Sequence, residues 1–168
     1  VVRASHIEGR GLFADRPHEP GELVHRLGGR PASTLGVAVR IATRRIRWDD
    51  PLQIGRATYL VLDPVSLAAN HSCDPNLGLR GRGDLMALRT IAAGDELTYD
   101  YSMTVPRSIF TRGWHLACAC GAARCRRDVG NVDTVPVDVL NAYLAAGAVP
   151  DHTLGRVREL VAAAGLSA

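Results

Sequence analysis

Apolar and polar positions alternate over short runs through the first hundred residues, and a helical period appears only near the end of the chain. Gly9-Arg10-Gly11-Leu12-Phe13-Ala14 reads as a glycine turn entering a strand. Pro17, Pro20 and Gly21 then punctuate the chain, residues 22–27 (Glu-Leu-Val-His-Arg-Leu) follow as a strand, and Gly28-Gly29 ends it. Residues 58–62 (Thr-Tyr-Leu-Val-Leu) form a short buried strand stopped by Asp63-Pro64, and residues 85–89 form another. A Gly94-Asp95 turn launches a strand over residues 96–101. Alternation there places Leu97, Tyr99 and Tyr101 on one face and Thr98 and Asp100 on the other. Residues 37–47 fit either a short helix or a strand pair, and Pro51 interrupts whatever forms there.

The tail follows a different rule. Residues 137–146 set Leu140, Tyr143 and Leu144 on one helical face, and Pro150-Asp151 breaks the pattern. Residues 153–164 then repeat Leu154, Val157, Leu160, Val161 and Ala164 at helical spacing. The pattern predicts a mostly β domain of the α+β class, closed by core-facing C-terminal helices.

Composition narrows this picture. A length of 168 residues suits one domain with a real core and leaves room for a small appendage. The balance of 46% hydrophobic and 22% charged residues fits a globular chain, and no apolar run reaches membrane-spanning length. Val1-Val2-Arg3-Ala4 has neither a starting Met nor the apolar core of a signal peptide, so the sequence reads as one with a trimmed start. The expected location is the cytoplasm, or the nucleus in a eukaryote. Formal net charge is +3, and all 20 basic side chains are arginine. Coding bias accounts for the absence of lysine, although a lysine-modifying enzyme would gain by offering none of its own. Arg44, Arg45 and Arg47 form the densest basic cluster and read as a solvated face. The charge excess is too small to argue direct nucleic-acid binding.

Three of the four cysteines lie within eight residues, Cys118-Ala119-Cys120-Gly121-Ala122-Ala123-Arg124-Cys125, while Cys73 lies far upstream. Disulfides are one reading, with three possible pairings. Nothing signals secretion, however, and a C-x-C pair suits two ligands of one metal better than a mutual disulfide. Cys73 alone has a second reading, as a buried free thiol. His71 and His115 adjoin candidate ligands, but with four cysteines available neither is needed as a substitute.

Three segments together carry a family resemblance. Asn70-His71-Ser72-Cys73-Asp74-Pro75-Asn76 is similar to the N-H-S-C-x-P-N signature of SET domains. Gly94-Asp95-Glu96-Leu97-Thr98-Tyr99-Asp100-Tyr101 resembles their G-E-E-L-T-[YF]-D-Y segment. Cys118-x-Cys120-x4-Cys125 followed by Arg126 is similar to the post-SET C-x-C-x4-C-R motif, and residues 9–14 resemble the family's opening G-x-G segment. The resemblance covers roughly residues 5–130.

The resemblance implies small curled β-sheets with a knot-like core, in which the segment around residues 70–76 passes the loop near Tyr99 and Tyr101. Three regions are expected: a SET domain over residues 1–112, a post-SET zinc segment over 113–130 and a helical extension over 131–168. It also implies one structural zinc held by Cys73, Cys118, Cys120 and Cys125, in a closed site that orders a segment poor in apolar side chains. Four thiolates and one zinc would lower the formal net charge from +3 to about +1. The implied activity is S-adenosylmethionine-dependent N-methylation of lysine in a protein or peptide. Tyr101 matches the catalytic tyrosine. Tyr99 matches the position that limits how many methyl groups are added, which favours mono- or dimethylation. Cofactor contacts carry over onto Arg10, Gly11, Asn70, His71 and Tyr101.

A free lysine has a pKa of about 10.4, so making it neutral at pH 7 costs about 4.6 kcal/mol. A narrow apolar channel and the nearby sulfonium charge both help to remove that proton, so no side-chain general base is required and the rate is expected to rise into alkaline pH.

Departures fall where selectivity is set. Leu27 stands where the family often has a channel tyrosine, with Tyr59 a candidate replacement; Ser66-Leu67-Ala68-Ala69 precedes the signature in place of an Arg-Phe-Ile type run; the insert over residues 31–56 is short; and no aromatic follows Cys125 closely. Two other functions are therefore carried forward: methylation of a small amine, and a non-catalytic module that binds a partner peptide.

Overall fold

The computed structural model describes residues 1–48, 50–107 and 113–166. Its strands are short and its sheets small. The strands β1 (Val2–Ala4), β2 (Arg10–Phe13), β3 (Leu23–Arg26) and β4 (Gly29–Ser33) lead into helix α1 (Thr34–Ala42). The strands β5 (Pro51–Gln53), β6 (Thr58–Leu62), β7 (Asn70–His71), β8 (Leu77–Arg80), β9 (Asp84–Ala87) and β10 (Glu96–Tyr99) follow. Beyond them come β11 (Leu116–Ala117), β12 (Asp128–Val129), α2 (Val137–Ala145) and α3 (Asp151–Ala163).

Among the described residues these strands form four sheets, ordered β1-β2-β10-β7, β3-β9-β8, β4-β6-β5 and β11-β12. Residues 37–47 resolve as helix followed by turn: α1 starts at Ser33, whose hydroxyl accepts the Gly36 N–H, and stops before Arg44, which takes a positive φ of 54°. The segment expected to pass beside Tyr99 does so. β7 pairs in parallel with β10, setting Asn70 against Thr98 and His71 against Tyr99. Asn76 locks this crossing from the side, accepting the Thr98 N–H at 2.9 Å and donating to the Glu96 carbonyl at 2.8 Å.

One expected strand is shorter than its pattern. β10 stops at Tyr99, and Tyr101–Thr104 form a 3-10 turn. Asp100 caused the change: its carboxylate accepts the Ser102 N–H, a capping geometry that competes with the ladder. Strand alternation therefore does not extend from Tyr99 to Tyr101.

The described residues form two apolar cores. The first gathers Leu12, Leu27, Leu60, Leu77, Leu85, Ile91 and Leu97 from the sheets. The second gathers Leu140, Tyr143, Val149, Val157 and Val161 from α2 and α3, together with Val132 and Met103. The two meet at Gly78 of β8, where an added Cβ would lie 2.4 Å from the Ala148 methyl, so only glycine allows this approach. Met103 belongs to the 3-10 turn that begins at Tyr101, so the tail helices brace that turn directly. Thr153 is fully buried, and its hydroxyl donates to the Met103 carbonyl at 2.9 Å. The neighbouring His152 donates from Nε2 to the Thr104 carbonyl, also at 2.9 Å.

Candidate active site and metal centre

Two cavities converge on Tyr101. The larger, of about 750 Å³, is lined by Gly9, Arg10, Asn70, His71, Tyr101 and Leu116, among others. The smaller, of about 270 Å³, is lined by Tyr59, Tyr99, Tyr101, Trp48, Trp114 and Leu52, among others. Tyr101, Leu67 and Asp50 line both.

Tyr101 is held from several directions. Its hydroxyl donates to the Ala69 carbonyl at 2.9 Å, so towards a third group the phenol oxygen can act only as an acceptor. Its ring lies 4.8 Å from Tyr99 and 5.3 Å from His71, centroid to centroid. The two tyrosines thus share one cavity although the strand ends between them. Burial pushes the Tyr99 phenol well above its ordinary pKa, so Tyr99 stays neutral. Leu27 lies in the first core, and Tyr59 lines the smaller cavity; a tyrosine from β6 therefore supplies a phenol that position 27 lacks.

The polar wall of the larger cavity is built from cross-links. Asn70 Nδ2 lies within hydrogen-bonding reach of Ser5 Oγ, the Glu8 and Arg10 carbonyls and Glu96 Oε1, at 2.9 to 3.2 Å. Asn70 thereby fastens the turn before β2 to the sheet. Arg10 is exposed on the cavity rim. Gly11 is buried beside it, and a Cβ there would sit 2.3 Å from Glu96 Oε1, so the glycine makes room for that carboxylate. His71 Nδ1 accepts the Tyr101 N–H at 3.2 Å, which puts the ring proton on Nε2, 3.3 Å from Cys73 Sγ. Burial, aided by the Arg126 charge and opposed by Asp100, pulls the His71 pKa down to about 4, so the ring is neutral near pH 7.

Asp100 joins the parts. Its buried carboxylate receives Arg126 Nη2 at 2.6 Å and the Tyr143 hydroxyl at 3.5 Å, and lies 3.7 Å from His71 Nδ1. The residue after the last cysteine, the tail helix α2 and the larger cavity are thus tied to one side chain. Asp100 and Arg126 were legible as parts of the two motifs, but their pairing was not. Trp48 and Trp114 carried no motif and were missed.

All four cysteines come together. One sulfur from each falls in a group whose atoms all lie within 4.8 Å of one another, and Cys73 Sγ is 3.8 Å from Cys118 Sγ. That separation is far above the disulfide length of about 2.05 Å and equals the edge of a tetrahedron with zinc–sulfur bonds of about 2.3 Å. The Cys73 N–H points at Cys120 Sγ and the Arg126 N–H at Cys73 Sγ, both at 3.4 Å, which suits thiolates. Without a metal the cluster resists full ionisation. Burial pushes the Cys118 thiol up, whereas at Cys120 burial is outweighed by N–H groups and neighbouring thiols and its pKa falls to about 6. A dication removes that conflict, so the donor set is compatible with zinc. His115 pairs with Asp128 at 3.3 Å and stands outside the group.

The fold agrees with comparison to known proteins. Residues 9–102 match the SET domain, and this chain belongs to the SET-domain family. It is 31% identical to "Histone-lysine N-methyltransferase trithorax" of Drosophila virilis over 143 residues, covering 75% of this chain and 3% of that protein. It is 32% identical to "Histone-lysine N-methyltransferase 2B" of Homo sapiens over 143 residues, covering 75% of this chain and 5% of that protein. It therefore spans only a small part of these relatives' length. A chain of a humanized mutant of the Chaetomium thermophilum Polycomb Repressive Complex 2, solved with an inhibitor, superposes with a TM-score of 0.55 at 26% identity, covering 68% of this chain and 16% of that one. Methyltransferases of this family use S-adenosylmethionine. Among the described residues no helix is long and apolar enough to cross a membrane.

Proposed function

We propose that this chain is an S-adenosylmethionine-dependent protein-lysine N-methyltransferase carrying one structural zinc on Cys73, Cys118, Cys120 and Cys125. The observation that carries this reading is the meeting of two cavities at Tyr101, one large with mixed polar and apolar walls and one smaller with aromatic and aliphatic walls. When bound, S-adenosylmethionine supplies an electrophilic methyl group on a sulfonium. The larger cavity, with Arg10, Asn70 and His71 on its wall, would hold it; about 750 Å³ is within the range of small-molecule sites. Gly11 contributes by letting β2 pack close to Glu96.

The narrow cavity takes the amine. Its phenols and apolar walls disfavour an ammonium relative to water and so help lysine to lose its proton. Tyr101 is the catalytic residue in this reading. Its oxygen, fixed as an acceptor by the Ala69 carbonyl, belongs to the residue that lines both cavities and would orient the amine. A hydroxyl at position 99, in place of a bare ring, supports mono- or dimethylation. The zinc is closed by four protein ligands and has a structural role, holding the β11–β12 segment whose Leu116 and Val129 wall the larger cavity. The relatives named above point to a histone as one protein substrate to test, with the nucleus as the setting in a eukaryote and the cytoplasm otherwise.

The test is incubation with methyl-labelled S-adenosylmethionine and either histone H3 or a cell lysate, repeated with Tyr101→Phe. The chain has no lysine, so labelled lysine in a protein band cannot come from the enzyme itself. Labelled protein that falls at least 100-fold in the variant is the expected result. Label confined to small molecules would replace this reading with a small-amine methyltransferase, and cofactor binding without transfer would replace it with a peptide-binding module.

A further inference from the structure

The chain has two tryptophans, Trp48 and Trp114, and they touch each other. Trp48 follows α1 in the insert, and Trp114 precedes β11 on the way to Cys118. Their rings meet edge to face, with centroids 6.4 Å apart and planes at 69°. Both line the narrow cavity together with Tyr59, Tyr99 and Tyr101.

Exposure separates the two extremes of this set. Tyr99 is 4% exposed, whereas Trp48 is 51% exposed. The inner end of the cavity is therefore Tyr99, and Trp48 stands at its mouth with the partly exposed Trp114 packed against it. Leaving half an indole in water gives up burial that a core tryptophan would gain. Large aromatic rings, half-exposed beside a cavity, are the side chains that dominate binding to polypeptides. A small free amine can reach the inner tyrosines without covering the mouth. A lysine within a polypeptide cannot, because its backbone must lie across the opening.

We propose that Trp48 and Trp114 form a clamp that grips the polypeptide on either side of the target lysine, so that the site selects chain-borne amines over free ones. This rests on the methyltransferase reading above and names the residues that decide its substrate class. The pair are positioning residues: they touch the chain that bears the amine, not the reacting atoms. The clamp also joins two elements, the insert and the zinc segment.

The test uses the zinc-loaded protein and labelled S-adenosylmethionine with two probes. One is a pool of nine-residue peptides with lysine at the centre and all other positions randomised; the other is N-acetyl-lysine amide. Trp48→Ala and Trp114→Ala are each expected to cut transfer to the peptide pool at least 10-fold relative to transfer to the small amide, through KM, with cofactor affinity within twofold of wild type. Trp48→Phe and Trp114→Phe are expected to restore most of the loss. Near-ultraviolet circular dichroism gives a readout independent of turnover, since the signal of the coupled indoles should change when the pool binds and vanish in either variant. Equal loss for both probes, or no loss for either, would overturn the clamp and leave the pair as fold-stabilising contacts. Transfer by wild type to neither probe would overturn the methyltransferase reading, and the clamp with it.

Discussion

At the scale of single residues, burial decides what each group in this site can do. Tyr99 is kept neutral by burial, and His71 is kept neutral by burial and by the N–H of Tyr101, which needs a lone pair on Nδ1. His152, beneath the 3-10 turn, follows the same rule: burial lowers its pKa, its Nε2 proton is committed to the Thr104 carbonyl, and its buried Nδ1 has no hydrogen-bond partner among the described residues. As pH falls through about 6.5 the unfolded imidazole takes up a proton that the folded one resists. Stability present above that pH is therefore lost below it, at no more than about 1.4 kcal/mol per pH unit for this one group. Denaturant titrations between pH 7 and pH 5 should show a shallower acid loss in His152→Gln, whose amide can still donate to Thr104. An unchanged slope would remove His152 from the acid response. The residue-level expectations were most legible where a motif fixed both identity and spacing, as for the four cysteines. They were least legible for Trp48 and Trp114, because an isolated indole has no spacing rule that says what it will meet.

At the scale of elements, the short strands at residues 10–13, 23–26, 58–62, 84–87 and 96–99 agree with the alternation in the sequence, and both tail helices fall where their apolar faces repeat. The exception is instructive. Residues 96–101 alternate as a strand should, yet the strand stops at Tyr99 because Asp100 satisfies the next N–H groups locally and Met103 is pulled into the second core. That pull comes from helices distant in sequence, so periodicity within the segment carried no sign of it. Thr153 is the contact that makes the pull specific. Thr153→Val keeps the shape but strands the Met103 carbonyl in a dry interior, an expected loss of about 1–3 kcal/mol. Thermal unfolding should report it, and Thr153→Ser should recover most of the stability. Loss of turnover beyond the change in folded fraction would show that the tail helices position Tyr101 as well as stabilise the chain. The insert was ambiguous in sequence because α1 buries little, with Val37 its one buried residue, so its apolar pattern had no core to report.

At the scale of the whole molecule, the sheets, the cysteine segment and the tail helices are cross-tied around one side chain. Asp100 reaches Arg126 beside the cysteines, Tyr143 on α2 and His71 at the cavity wall. Metal removal should therefore act at a distance. Chelation is expected to release one zinc per chain, loosen the β11–β12 segment and weaken S-adenosylmethionine binding at least 10-fold, because Leu116 and Val129 leave the cavity wall. Calorimetric titration before and after chelation checks this, and an unchanged affinity would separate the cysteine cluster from the cofactor cavity. The family and the positions of its motifs were legible in the sequence. How the two cavities meet was not, since it depends on a parallel crossing of β7 and β10 and on a turn that ends a strand early. That meeting is the central claim, and single-turnover methyl transfer to the randomised lysine peptide pool tests it most directly. Wild type should place labelled methyl on the lysine nitrogen, and Tyr101→Phe should slow this at least 100-fold while binding S-adenosylmethionine within twofold of wild type. Undiminished transfer by the variant, or no binding of the cofactor by wild type, would contradict the account.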